Sequence, residues 1–211
     1  MKNYIIKKIN SKKLCVSVIG LGYVGLPLSL LISKKNRVIG IDIEKKKINY
    51  LNSNKSYIDR IENKKVQNFN KKNIFSTDFS KIFDSDFIII CVPTPLKKNQ
   101  SPDLSFIKNA VLKIKPYLKK GQTIILESTS YPGTTYDHIV QILNRDFIVG
   151  KEIFVGFSSE RIDPGRNDNK IQTIPKVVSG YSKFCLEIVS KFYRKHFTKV
   201  FNADSLLIAE F

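Results

Sequence analysis

A chain of 211 residues with 42% hydrophobic content has enough length and apolar matter for one generous domain, or one domain and part of another. Ten glycines and three cysteines exclude collagen-like and disulfide-framed classes. The longest clear apolar run, Phe87 to Val92, is strand length and far short of the about 18 residues of a membrane-spanning helix.

Lys and Arg number 36 against 18 Asp and Glu, a formal net charge of +18. Such an excess can mark a nucleic-acid or membrane partner. Here the basic residues are mostly Lys, scattered in pairs among abundant Asn and Ile. All three residue types have A/T-rich codons, so compositional drift explains the charge better than a nucleic-acid patch, which should cluster on one element. Neither nucleic acid nor membrane is expected as a partner, though part of the charge favours an anionic ligand. Cys15, Cys91 and Cys185 lie far apart in apolar stretches without CxxC spacing. They read as buried thiols of a cytoplasmic protein, and no metal site is expected. The basic segment 1–13 has no signal-peptide apolar region behind it and reads as a short solvated lead-in.

Along the chain, apolar runs of strand length alternate with helical patterns. Strands are expected over 14–19, 37–43, 87–92, 123–126, 153–157 and 176–178. Helices are expected over 26–33, 44–51, part of 57–72, 134–143 and 182–195. Ser101-Pro102-Asp103 reads as a helix start, followed by Ile107, Val111, Ile114 and Leu118 at helical spacing, with Gly121 as the stop. Strand and helix in alternation, with strands apolar throughout, predict a doubly wound parallel α/β sheet.

Four segments carry chemistry. Gly20-Leu21-Gly22-Tyr23-Val24-Gly25 follows a strand and opens a helix. Gly20 suits a tight turn, Gly22 lets a pyrophosphate approach the backbone, and Gly25 lets helix and strand pack closely. Helix-start N–H groups then face the phosphates. Asp42 ends the second strand, where its carboxylate can accept from a ribose diol and repel a 2′-phosphate. NAD is therefore favoured over NADP, with Lys45 to Lys47 weakening the preference a little. The competing reading is a Gly-rich turn with no ligand. Val92-Pro93-Thr94-Pro95 lies at the C-terminal end of a strand and is by itself as compatible with an ordinary turn. Glu127-Ser128-Thr129 ends the next strand, where hydroxyls could hold a water or a ribose, or cap a helix. Glu160, in the run Ser158 to Gly165, is either an acid/base at the ligand edge or a surface carboxylate beside Arg161.

Together and in this order, VIGLGYVGLPLSL, SYI, VPTPLKKNQSPDLS, ESTSYPGTT, SSERIDPG and IPKVVSG resemble the UDP-glucose/GDP-mannose dehydrogenases over about residues 14 to 180. SYI, ESTSYPGTT and SERIDPG look most like the branch that acts on UDP-N-acetylhexosamines, UDP-N-acetylglucosamine especially. The resemblance implies a Rossmann NAD-binding domain and oxidation of a sugar C6 alcohol to a carboxylate with two NAD+, for surface polysaccharide synthesis. It places Gly20, Gly22, Tyr23, Val24, Gly25, Asp42, Val92, Pro93, Thr94 and Thr129 at the cofactor. It gives Thr129 a role in holding the catalytic water and Glu160 one in thioester hydrolysis. Pro164 stands where UDP-glucose enzymes often carry a second glutamate, which argues against UDP-glucose. The resemblance divides the chain into a lead-in over 1–13, an NAD-binding domain over 14–203 and the start of a truncated central helix over 204–211. The nucleophilic cysteine segment and nucleotide-sugar domain of homo-oligomeric relatives have no counterpart here. A catalytic half completed by a separate C-terminal chain and a non-catalytic NAD-binding remnant are both open on these grounds. Leu206, Leu207, Ile208 and Phe211 on so short a helix predict that residues after about Asp204 are frayed or loosely docked.

Overall fold

The computed structural model describes residues 2–11, 14–159 and 171–211. The described chain runs α1 (Lys2–Asn10), β1 (Cys15–Ile19), α2 (Gly25–Ile32), β2 (Arg37–Ile41), α3 (Lys45–Asn52), α4 (Asn63–Asn70) and β3 (Ile74–Ser76). A 3-10 turn over Phe79–Asp84 leads to β4 (Phe87–Ile90), α5 (Ser105–Ile114) and β5 (Thr123–Leu126). A π-helical turn over Tyr136–Val140 runs into α6 (Gln141–Leu143), followed by β6 (Phe154–Ser158), β7 (Lys176–Gly180), α7 (Lys183–Tyr193), β8 (Val200–Asn202) and α8 (Leu206–Glu210).

The strands form one sheet in the order β3-β2-β1-β4-β5-β6-β7-β8. The first six are mutually parallel. This is the doubly wound arrangement, with its switch point between β1 and β4. Phe87, Ile88, Ile89 and Ile90 of β4 all have zero exposure, because helices cover both faces of the sheet. One face packs α1, α2, α3, α4 and α7; the other packs α5, α6 and α8. The sheet departs from all-parallel at β7, which runs antiparallel to β6 with Gly180 opposite Gly156. Both glycines let α7 lie close: a Cβ on Gly180 would sit 2.1 Å from the Leu186 nitrogen, and one on Gly156 2.5 Å from a Val189 methyl.

Four local expectations are corrected. Segment 1–13 is not merely solvated: α1 buries Ile5 and Ile9, one helical turn apart, and packs on α7. Its Lys8 donates to Asp86, whose other oxygen accepts from the Cys15 N–H at 3.0 Å. Ile74–Ser76 pairs as a third strand beside β2, a three-residue segment too short to stand out as strand. Ser101 does not cap α5, whose N-cap position is Leu104 without a side-chain cap; Asp103, just before it, accepts from the Ser105 N–H at 3.0 Å. Ser101 instead closes a turn on Asn99. The chain end is neither frayed nor loosely docked: Leu206, Ala209 and Glu210 are buried, and the Ser205 hydroxyl caps α8 through the Ile208 N–H at 3.2 Å. Leu207, Ile208 and Phe211 do stay exposed.

His196 gives the fold a pH dependence. It is 6% exposed, with Nε2 3.0 Å from the Asn36 amide nitrogen. Burial, with Lys35 and Lys195 adding, pushes its pKa down to about 4. The unfolded chain binds this proton near the ordinary value of about 6.5, so stability falls as pH drops from there toward 4, by at most about 1.4 kcal/mol per unit. The urea midpoint should therefore fall faster over that window in the native chain than in His196→Gln. Parallel curves would show that this side chain does not carry the effect.

Candidate functional site

The parallel strands end level. Ile41, Ile19, Ile90, Leu126 and Phe157 are successive register partners across β2, β1, β4, β5 and β6. The residues that follow each strand are therefore delivered to one edge, and ligands of such sheets bind outside that edge at the switch point.

Gly20 turns the chain at φ +89°, and a Cβ there would meet the Cys91 carbonyl oxygen at 2.6 Å. A Cβ on Gly25 would lie 1.8 Å from the Gly20 oxygen, so α2 can start against the turn only with glycine there. Gly22 differs: a Cβ on it would meet nothing within 4 Å. The protein itself does not require that glycine, whereas a ligand lying against the backbone would. Tyr23 is exposed and Val24 half-buried just before α2 begins. The leading N–H groups of a helix have no intrahelical acceptors and favour an anion.

Asp42 is 6% exposed and faces this loop. Its Oδ2 accepts from the Leu21 N–H at 2.8 Å and its Oδ1 from the Glu44 N–H at 2.9 Å. Each oxygen keeps acceptor capacity for a hydroxyl. Lys47 lies 2.9 Å from Glu44 and 3.9 Å from Asp42, so its charge is engaged by carboxylates. The open space at Gly22 and the buried carboxylate beside it fit a dinucleotide with a free ribose diol.

On the other side of the switch point, Val92 and Thr94 are half-buried and Pro93 exposed. The Ser128 hydroxyl donates to the Val92 carbonyl at 2.8 Å, tying the loop after β4 to the one after β5. Thr129, next in line, is exposed. Glu160 lies outside the described residues; β6 delivers Ser158 and Ser159 to the same edge just ahead of it.

Two anchors beneath these loops were not legible as site residues. Glu127 is fully buried and accepts from the Lys176 ammonium and the Tyr193 hydroxyl. Lys176 also donates to the Ser159 carbonyl at 3.3 Å, so one ammonium joins the ends of β5 and β6. Burial, then the Glu127 charge, raises the Tyr193 phenol well above its ordinary value and keeps it a donor. Lys176 opens β7, Lys-Val-Val-Ser-Gly, and a lysine at the head of a short buried strand was the available signal. The second anchor is Glu210 of α8. It accepts from the Gly133 and Thr135 N–H groups, both at 2.7 Å, at the start of the helical run after Thr129. Among the described residues, no group of three or more potential ligands could hold a metal ion, and no helix is long and apolar enough to cross a membrane.

A doubly wound sheet, a glycine loop at its switch point and a carboxylate after β2 define an NAD-binding dehydrogenase domain. Residues 14–197 match the model of the UDP-glucose/GDP-mannose dehydrogenase family, NAD binding domain, and the chain belongs to that family. It is similar to Protein CapL of Staphylococcus aureus, 37% identical over 92% of this chain and 46% of that protein. It is also similar to the UDP-N-acetyl-D-glucosamine 6-dehydrogenase of Pseudomonas aeruginosa, 35% identical over 94% of this chain and 48% of the relative. Among solved structures, the UDP-N-acetyl-mannosamine dehydrogenase Cap5O from Staphylococcus aureus superposes with a TM-score of 0.85 at 31% identity. That match covers 93% of this chain and 48% of the other. The chain thus spans about half the length of the relatives it matches.

Proposed function

We propose that this chain is the cofactor-binding half of a cytoplasmic dehydrogenase that oxidises the C6 alcohol of a UDP-N-acetylhexosamine, UDP-N-acetylglucosamine first, to the uronic acid. The observation that carries the cofactor half is the open space at Gly22 beside the buried Asp42. The sugar assignment rests on Pro164 and the SYI and ESTSYPGTT segments, and relatives named for UDP-N-acetylglucosamine and UDP-N-acetylmannosamine support it. The product serves surface polysaccharide synthesis. Alcohol to carboxylate removes two hydrides and adds one oxygen from water, so two NAD+ are consumed per sugar. When bound, NAD+ supplies the hydride acceptor.

The chain's own residues then have separate tasks. The loop Gly20 to Gly25 and Asp42 bind and orient the dinucleotide. Val92 to Thr94 wall the site from the β4 side. Thr129 holds the water through its exposed hydroxyl, and Glu160 assists its attack as a base.

The test is NADH formation from UDP-N-acetylglucosamine, with and without a second polypeptide carrying the nucleophilic cysteine segment. Turnover is expected only in the mixture, with two NADH per uronate, and Glu160→Gln should then slow the hydrolytic step. Uronate from the 211-residue chain alone, or faster turnover of UDP-glucose, would overturn this reading.

A further inference from the structure

We propose that Tyr57 is a positioning residue for the pyrophosphate of the dinucleotide, acting through the peptide that joins Leu21 to Gly22. The inference rests on the assignment of the Gly20 to Gly25 loop as the cofactor site. Tyr57 lies in the connection between α3 and α4, 36 positions along the chain from Leu21, and donates its hydroxyl to the Leu21 carbonyl. Its ring is half-buried and packs against the core on the α2 face of the sheet. The Leu21 N–H is taken by Asp42 at 2.8 Å, and the Leu21 side chain has zero exposure. Leu21 is therefore held through its amide, its carbonyl and its side chain.

The consequence falls on Gly22. In a trans peptide the carbonyl and the following N–H share one plane and point in opposite directions. The described chain has no cis peptide. Fixing the Leu21 carbonyl on Tyr57 thus aims the Gly22 N–H away from Tyr57. Gly22 is the loop position where added atoms would meet only open space. Without that constraint glycine is the residue least able to hold one orientation by itself. Burial, with the Asp42 and Glu44 charges adding, raises the Tyr57 phenol above its ordinary value, so it remains a donor at any working pH.

A purely structural tyrosine would affect all ligands alike, and this distinction sets the experiment. Tyr57→Phe removes the hydroxyl and keeps the ring; Tyr50→Phe, at an exposed site in α3, is the control. Binding of NAD and ADP-ribose is measured by calorimetry, and that of adenosine by ligand-observed NMR. Loss of one neutral hydrogen bond predicts about three- to tenfold weaker binding of NAD and ADP-ribose in Tyr57→Phe. Adenosine, which has no pyrophosphate, should bind as to the native chain, and Tyr50→Phe should change nothing. Equal NAD affinity in Tyr57→Phe and native protein would overturn the role of Tyr57, as would an equal loss for adenosine. Failure of the native chain to bind NAD would instead remove the site assignment on which the inference stands.

Discussion

Lys176→Met should lower the unfolding free energy by about 3–5 kcal/mol, because it removes the ammonium from a carboxylate that stays buried. Glu127 has zero exposure and the Lys176 side chain only 2%, so water cannot replace either charge. Glu127→Gln alone should also be costly, since the ammonium then lies beside a neutral amide. The double variant should lose less than the sum, because each single change leaves one buried charge behind. Urea unfolding of the two singles and the double closes the cycle. A loss under about 1 kcal/mol for Lys176→Met would mean that the pair is not buried as described. The pair also spans the ends of β5 and β6, so its loss should loosen the chain at Thr129 and Ser159 before the rest of the sheet.

Gly22→Val has the largest expected effect on binding and nearly none on folding. A Cβ there meets nothing within 4 Å, and Gly22 is not among the positive-φ glycines Gly20, Gly121, Gly133 and Gly150. Stability should stay within about 0.5 kcal/mol of the native chain, as at other sites where added atoms meet no neighbour. NAD binding should be undetectable, because the branched side chain fills the space that the pyrophosphate needs. Gly25→Ala is the opposite case. Its Cβ would stand 1.8 Å from the Gly20 oxygen, so the turn and α2 must separate and the fold should suffer first. Thermal unfolding and calorimetry on the two variants distinguish a glycine kept for a ligand from one kept for packing.

What could be read from the amino-acid order follows from how local each feature is. β1 with its glycine loop, β4 and β5 are apolar runs bounded by turn residues, and their placement needs only neighbouring positions. Asp42 is legible because the length of one strand-helix-strand unit carries it to the loop. α1 is not legible because its two buried isoleucines, Ile5 and Ile9, make too narrow a stripe among lysines; its burial depends on α7, more than 170 positions away. The Glu127–Lys176–Tyr193 cluster joins three elements distant in sequence, and no spacing announces it. The docked end of the chain depends on Glu210 meeting the amides of Gly133 and Thr135, a contact that helix propensity does not encode.

One titration tests the cofactor site most directly. Calorimetry of the folded 211-residue chain with NAD and with NADP, at equal ionic strength, reports on the glycine loop and Asp42 together. Asp42 accepts from a ribose diol but repels a 2′-phosphate, so NAD should bind and NADP should bind more weakly. No heat of binding at millimolar NAD, or tighter binding of NADP, would contradict the assignment of this edge of the sheet as the cofactor site.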